Sequence, residues 1–168
     1  MRRRWPGSRP AFDSLPGLTA EIRDLNRILV PKGLRLLPLR YQDRKALLYL
    51  YRPSELRKDL KDQLAGTLLA EAGYPNKGSE QCVAYLARRF RSGGEFPHEV
   101  GLFLSYPPQD VLGFIENRAV NYKCAGLWKV YGDVEQAQRL FARYRKCTDI
   151  YCELWRAGSG IGQLAVAV

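Results

Sequence analysis

Hydrophobic and polar positions alternate between helical and extended patterns along the chain. From Leu18 to Leu29, Ile22, Leu25, Ile28 and Leu29 recur at helical spacing, with Thr19 as the expected N-cap and Pro31 and Gly33 as the stop. Leu34–Arg40 and Ala46–Tyr51 are rich in Leu and Tyr and flank the polar turn Gln42-Asp43-Arg44-Lys45, which predicts a β-hairpin. Pro38 has no amide hydrogen to give a ladder, so the first strand is expected to lie at an edge or to bulge there. Leu56, Leu60, Leu64 and Leu68, spaced four apart, predict one helix opened by Pro53-Ser54 and closed by Gly73 and Pro75. Ser79 is expected to cap a helix over Glu80–Arg91, with Cys82, Val83, Leu86 and Phe90 inward and Arg88, Arg89 and Arg91 in water. Ser92-Gly93-Gly94 breaks the pattern.

Two short proline-started helices are expected next. Pro97 opens the first, with His98 and Glu99 in its first turn and Val100, Leu102, Phe103 and Leu104 on its core face. Pro107-Pro108 opens the second, where Val111, Leu112, Phe114 and Ile115 pack and Asp110 sits in the turn that the helix dipole favours for an acid. A polar loop, Asn117–Cys124, leads to an expected strand over Leu127–Tyr131, with Trp128 and Val130 on one face. Asp133 and Gln136 have capping-box spacing and open a helix from Val134 to about Trp155. Its apolar stripe runs from Val134, Ala137, Leu140, Phe141 and Tyr144 to Cys147, Tyr151, Leu154 and Trp155. Leu164–Val168 is apolar enough to return as a short strand. These elements predict an α+β domain: a small antiparallel sheet, the 34–51 hairpin plus a strand at 127–131, covered by several helices. Residues 1–17, rich in Arg, Pro and Gly and without periodicity, are expected to form a flexible basic arm, and 18–168 the single domain.

Composition narrows the class. An apolar share of 46% and a charged share of 26% suit a globular domain of 168 residues. No apolar run approaches the roughly 20 residues a membrane span needs, so no membrane insertion is expected. The arginine-rich start lacks an apolar segment behind it and does not read as a secretory signal. Cys82, Cys124, Cys147 and Cys152 are irregularly spaced, which points to reduced thiols and a cytoplasmic protein. Residues 1–94 carry nineteen Lys/Arg against nine Asp/Glu, the whole net charge of +10, while 95–168 carry eight of each. Such an excess attracts nucleic acid, an anionic membrane surface or an acidic protein, or is simply a solvated face with an arginine-rich tail.

Candidate chemistry concentrates in residues 95–133, which hold the single histidine of the chain. A helix N-terminus there leaves His98 competent as an acceptor, base or ligand, beside an anionic Glu99. His98, Glu99, Tyr106, Asn121, Tyr122, Lys123 and Trp128 are expected to converge on one concave surface able to hold a small planar or anionic ligand. No paired-histidine or Cys-x-x-Cys spacing exists, so no metal site is assigned, and no cofactor is specified.

The stretch FPHEVGLFLSYPPQDVLGFIENRAVNYKCAGLWKVYGD resembles the signature of an uncharacterised bacterial family, domain of unknown function three-seven-nine-three. RYRKCTDIYCELW and the Tyr51-Arg52-Pro53 junction are similar to the family as well, so the resemblance covers roughly residues 18–168. It carries no activity, but the family's genes often neighbour flavodoxin genes, which implies a role near electron transfer or iron handling and an acidic redox partner such as flavodoxin. The chain departs from the family pattern at Ser105 and at Ala119-Val120, where glycine is usual, and Met1–Ser14 lacks the family's usual His-Cys segment. The reading that follows is a cytoplasmic binding or accessory protein. The alternatives are a small enzyme using His98 with Tyr122, Lys123 or Cys124, and a basic nucleic-acid-binding protein.

Overall fold

The computed structural model describes residues 15–166. In order they form α1 (Leu15–Leu29), a 3-10 turn (Val30–Lys32), β1 (Arg35–Gln42), β2 (Lys45–Tyr51), α2 (Pro53–Asp59), α3 (Gln63–Glu71), α4 (Ser79–Arg91), α5 (Val100–Phe103), α6 (Pro108–Glu116), β3 (Cys124–Ala125), β4 (Lys129–Val130), α7 (Val134–Arg156) and α8 (Ile161–Leu164). The fold is α+β. Residues 15–17, expected in the arm, already belong to α1, so Thr19 lies inside that helix rather than at its cap. The rest of the expected arm, residues 1–14, lies outside the described residues.

The β1–β2 hairpin forms as the alternation predicts, closed by Asp43 and Arg44 at φ 50° and 57°. Two consecutive residues with positive φ give the turn a twist that matches paired strands. The register shifts between Pro38 and Arg40, so Leu39 is the bulged residue, and it is buried. Asn26 of α1 completes the outer edge: its Nδ2 donates to the Leu36 carbonyl at 2.7 Å and its Oδ1 accepts from the Leu36 amide at 2.9 Å.

The stretch 53–72 is two helices, not one. Asp62 interrupts it by accepting from the Ala65 amide and capping α3, while the leucine spacing carries on across the break. At α4 the cap is Gly78, and Ser79 is the first helical residue. The principal core joins the inner face of β1–β2 to α2–α6 through Tyr49, Tyr51, Leu56, Leu68, Leu86, Phe90, Leu102 and Phe103. Leu104 and Ile115, expected to pack, are exposed.

The largest correction concerns 127–131. This segment does not join the first hairpin; it pairs with its own approach, Cys124 with Val130 and Ala125 with Lys129, as a separate two-stranded unit. Trp128 and Val130 face inward as expected and form a second core with Ala137 and Phe141 of α7. Tyr106 packs against both cores and joins them. Asp133 caps α7 by accepting from the Gln136 amide at 2.9 Å. The stripe of α7 is covered only in its first half: Cys147, Tyr151 and Leu154 are exposed. The C-terminal segment forms α8 instead of a strand, and it docks through Lys32, whose ammonium donates to the Gly162 and Ala165 carbonyls. Residues 167–168 of the expected strand lie outside the described residues.

Candidate functional site

A cleft of about 410 Å³ lies between the α5–α6 unit and the β3–β4 hairpin. Its walls are Phe96, His98, Val100, Tyr106, Val111, Phe114 and Trp128, with Gly101, Asp110 and the 125–129 segment completing it. Local sequence explains why these rings converge. Pro97 is buried and turns the chain, but it does not open α5: His98 and Glu99, expected in the first helical turn, precede the helix, with Glu99 at its N-cap. Gly101 lets α5 and α6 meet: a Cβ there would sit 2.8 Å from Val111 Cγ2 and 3.2 Å from Tyr106 Cδ2. Gly126 likewise lies where a Cβ would be 2.2 Å from Phe141 Cε2, so the hairpin can press on α7.

The rings are ordered by contact. Tyr106 stacks on Trp128 with centroids 4.6 Å apart and planes 26° from parallel. Trp128 meets Phe141 edge-on at 4.5 Å. His98 is held between Phe96, 5.4 Å away, and Phe114, 5.2 Å away, yet its ring remains exposed to solvent. Burial pushes the Tyr106 phenol up from 10.0, with Tyr144 adding to the shift, so it presents a neutral hydroxyl.

Asp110 is the buried charge of the cleft. Oδ2 accepts from Trp128 Nε1 at 2.7 Å, and Oδ1 accepts from the amides of Tyr131 and Gly132, both at 2.8 Å. Three donors satisfy the carboxylate, which makes it a clamp on the hairpin rather than a free acid. Lys129 is likewise engaged: Nζ donates to the Ala119 carbonyl at 2.6 Å and lies 4.8 Å from the centre of the Tyr122 ring.

The structure brings His98, Tyr106 and Trp128 together in this cleft. Glu99 points the other way into the protein. It is 5% exposed, and its Oε1 accepts from Arg89 Nη1 and from the Tyr74 hydroxyl, each at 2.7 Å. Arg89, expected in water, is therefore turned inward to neutralise a buried carboxylate. Asn121, Tyr122 and Lys123 lie outside the lining. Asn121 takes φ 60° in the loop, Tyr122 carries Lys129 over its ring, and Lys123 Nζ donates to the Gly132 carbonyl at 2.8 Å.

Phe96, Phe114 and Asp110 are lining residues that sequence reasoning assigned to no site. The signal for the aromatics was their spacing around His98, two residues before it and sixteen after. Among the described residues no group of three His, Cys, Asp or Glu side chains could hold a metal ion, and no helix is long and apolar enough to cross a membrane.

Fold and cleft together define an α+β protein with a preformed aromatic pocket between two short helices, the second opened by Pro108, and a small hairpin. The chain belongs to the family described as "Protein of unknown function (DUF3793)", whose model matches residues 9–165. No curated protein and no solved structure matches it.

Proposed function

We propose that this chain is a binding or accessory protein whose ligand is a small planar ring system seated in the cleft between α5–α6 and β3–β4. The observation that supports it most is the pairing of an ordered aromatic wall, Tyr106 on Trp128, with an exposed imidazole held by Phe96 and Phe114. Such a pocket offers flat faces for stacking and a single hydrogen-bonding edge. A planar ligand is favoured over an anionic one because the cleft's cation, Lys129, is already committed to a carbonyl and a ring. Binding is favoured over catalysis because the buried carboxylates near His98, Glu99 and Asp110, are both fully partnered.

A fragment collection split between planar heteroaromatic and saturated members, read by ligand-detected NMR, tests this. Hits are expected from the planar set and should be lost in His98→Ala and in Leu127→Gln, which places an amide on an exposed apolar position of the lining. Hits drawn equally from both sets, or unchanged in both variants, would overturn the proposal.

A second reading concerns an acidic protein partner, a flavodoxin-type redox protein among them. The hairpin favours it: β1, β2 and their turn carry Arg35, Arg40, Arg44 and Lys45 against one acid, Asp43. Affinity for a flavodoxin should then fall steeply with added salt, whereas salt-independent binding, or binding to duplex DNA alone, would refute steering by this face. The four free thiols support a reducing compartment such as the cytoplasm.

A further inference from the structure

We propose that the ring bound in the aromatic cleft is positively charged: a small planar heteroaromatic cation with its charge on a ring nitrogen, of the N-alkylated pyridine or quinoline type. This rests on the planar-ring reading of the cleft and adds to it the sign of the ligand's charge.

The lining holds one charge without a counter-ion. Asp110 is 3% exposed, and its three hydrogen bonds come from neutral donors, Trp128 Nε1 and the Tyr131 and Gly132 amides. It has no ion-pair partner among the described residues. The start of α6 supports this carboxylate with only about half a charge. A buried carboxylate is normally paired, so a cation entering the cleft gains an attraction that a neutral ring does not. Lys129 is the basic residue of the lining, yet its ammonium is drawn off to the Ala119 carbonyl and the Tyr122 ring, neither of which lines the cleft.

The rings select the same sign independently. A cation is attracted to the electron-rich face of Trp, Tyr or Phe within about 6 Å of the ring centre. Phe96, Tyr106, Phe114 and Trp128 surround the cleft, and Phe96 is 56% exposed at its edge. The Asp110 carboxylate sits 2.7 Å from the indole nitrogen, so it enriches the ring that forms the wall.

The surroundings do not oppose this. Residues 95–133, which build the cleft, carry five Asp/Glu against three Lys/Arg in a chain of net charge +10. Two of those three bases, Lys123 and Lys129, already donate to carbonyls.

The test titrates the full chain at about pH 8, above the ordinary imidazole range, with three fragments of matched shape: N-methylquinolinium, uncharged quinaldine and anionic quinaldate. N-methylquinolinium should bind about tenfold more tightly than quinaldine, and quinaldate more weakly than either. Asp110→Asn should reduce that preference to about threefold or less. Phe96→Leu removes a ring face at an exposed position and keeps an apolar side chain, so it should lower the preference with an unchanged melting temperature. Equal or tighter binding of quinaldine, or a preference untouched by both variants, would overturn the cation and leave the planar-ring reading standing. Saturable binding of none of the three fragments would overturn both.

Discussion

Asp110 Oδ2 accepts a hydrogen bond from Trp128 Nε1 at 2.7 Å, eighteen residues further along the chain. The other oxygen of the same carboxylate accepts from the Tyr131 and Gly132 amides. One buried acid on α6 therefore seats the β3–β4 hairpin and fixes the indole that forms the wall of the cleft. No strand pairing with the first hairpin is needed.

Asp110→Ala leaves three donors without their acceptor, and an unsatisfied buried donor costs about 1–3 kcal/mol. A loss of about 3 kcal/mol or more is expected by urea denaturation. Asp110→Asn keeps a carbonyl for the two backbone amides but turns an N–H toward the indole N–H, so its loss should fall between wild type and Asp110→Ala. Equal stability of all three proteins would show that the clamp contributes nothing.

The buried tyrosines give a pH dependence with a definite sign. Tyr74 is raised from 10.0 by burial, then by its hydrogen bond to Glu99 and by that residue's charge. Tyr49 is raised from 10.0 by burial, with Tyr51 and Asp59 adding to it, and its hydroxyl donates to the Phe103 carbonyl. A folded value above the unfolded one means the stabilisation is complete below about pH 10 and is lost as pH climbs beyond it. The unfolding free energy should fall steeply above pH 10, and Tyr74→Phe should flatten that fall. An unchanged slope in the variant would contradict the assignment.

Two turns of the chain, one before Tyr106 and one before Val120, are built without glycine. Both turns are left-handed: Ser105 has φ 59° and Ala119 φ 63°. A left-handed conformation costs a non-glycine residue roughly 1–2 kcal/mol, partly offset by the greater unfolded-state freedom of glycine. Ala119→Gly should therefore raise stability by about 0.5–1 kcal/mol and the melting temperature by a few degrees. Ser105→Gly should gain less, because Ser105 Oγ donates to Asp59 Oδ2 at 2.6 Å. A lower melting temperature for Ala119→Gly would refute the strain argument.

His98 and Phe103 separate binding from folding. Phe103 is 3% exposed in the main core, and Phe103→Ala should cost about 3–5 kcal/mol. His98 is exposed, so His98→Ala should shift the thermal midpoint little while weakening ligand capture. Equal destabilisation by both changes would make His98 a structural residue.

Local signals were legible in the sequence, and those that depend on distant partners were not. The hairpin and its bulge follow from alternation, a polar turn and Pro38. The cap at Asp133 follows from spacing. The division between α2 and α3 was hidden because Leu56, Leu60, Leu64 and Leu68 keep their rhythm across it, and Asp62 reads as an ordinary surface acid. Asp110 could be explained locally by a helix dipole, whereas its partners lie 18, 21 and 22 residues away. His98, Tyr106 and Trp128 were legible as a cleft because two prolines turn the short helices toward the hairpin. The run Asn121–Lys123 has a local account instead: Asn tolerates a left-handed φ, and Lys123 satisfies a carbonyl in the turn before α7. Glu99 reads locally as an anion beside His98 on the concave surface, because Arg89 and Tyr74, which bury it, come from other elements.

The central claim is that a planar ring binds against Trp128, and the indole N–H resonances test it most directly. The chain has three tryptophans, and Trp5→Phe and Trp155→Phe assign the signals while keeping Trp128 itself. A planar heteroaromatic fragment that binds should move the Trp128 indole N–H by ring current, in a saturable manner, and leave the Trp155 signal in place. Fragments that bind without moving the Trp128 signal, or that move all three alike, would contradict the account.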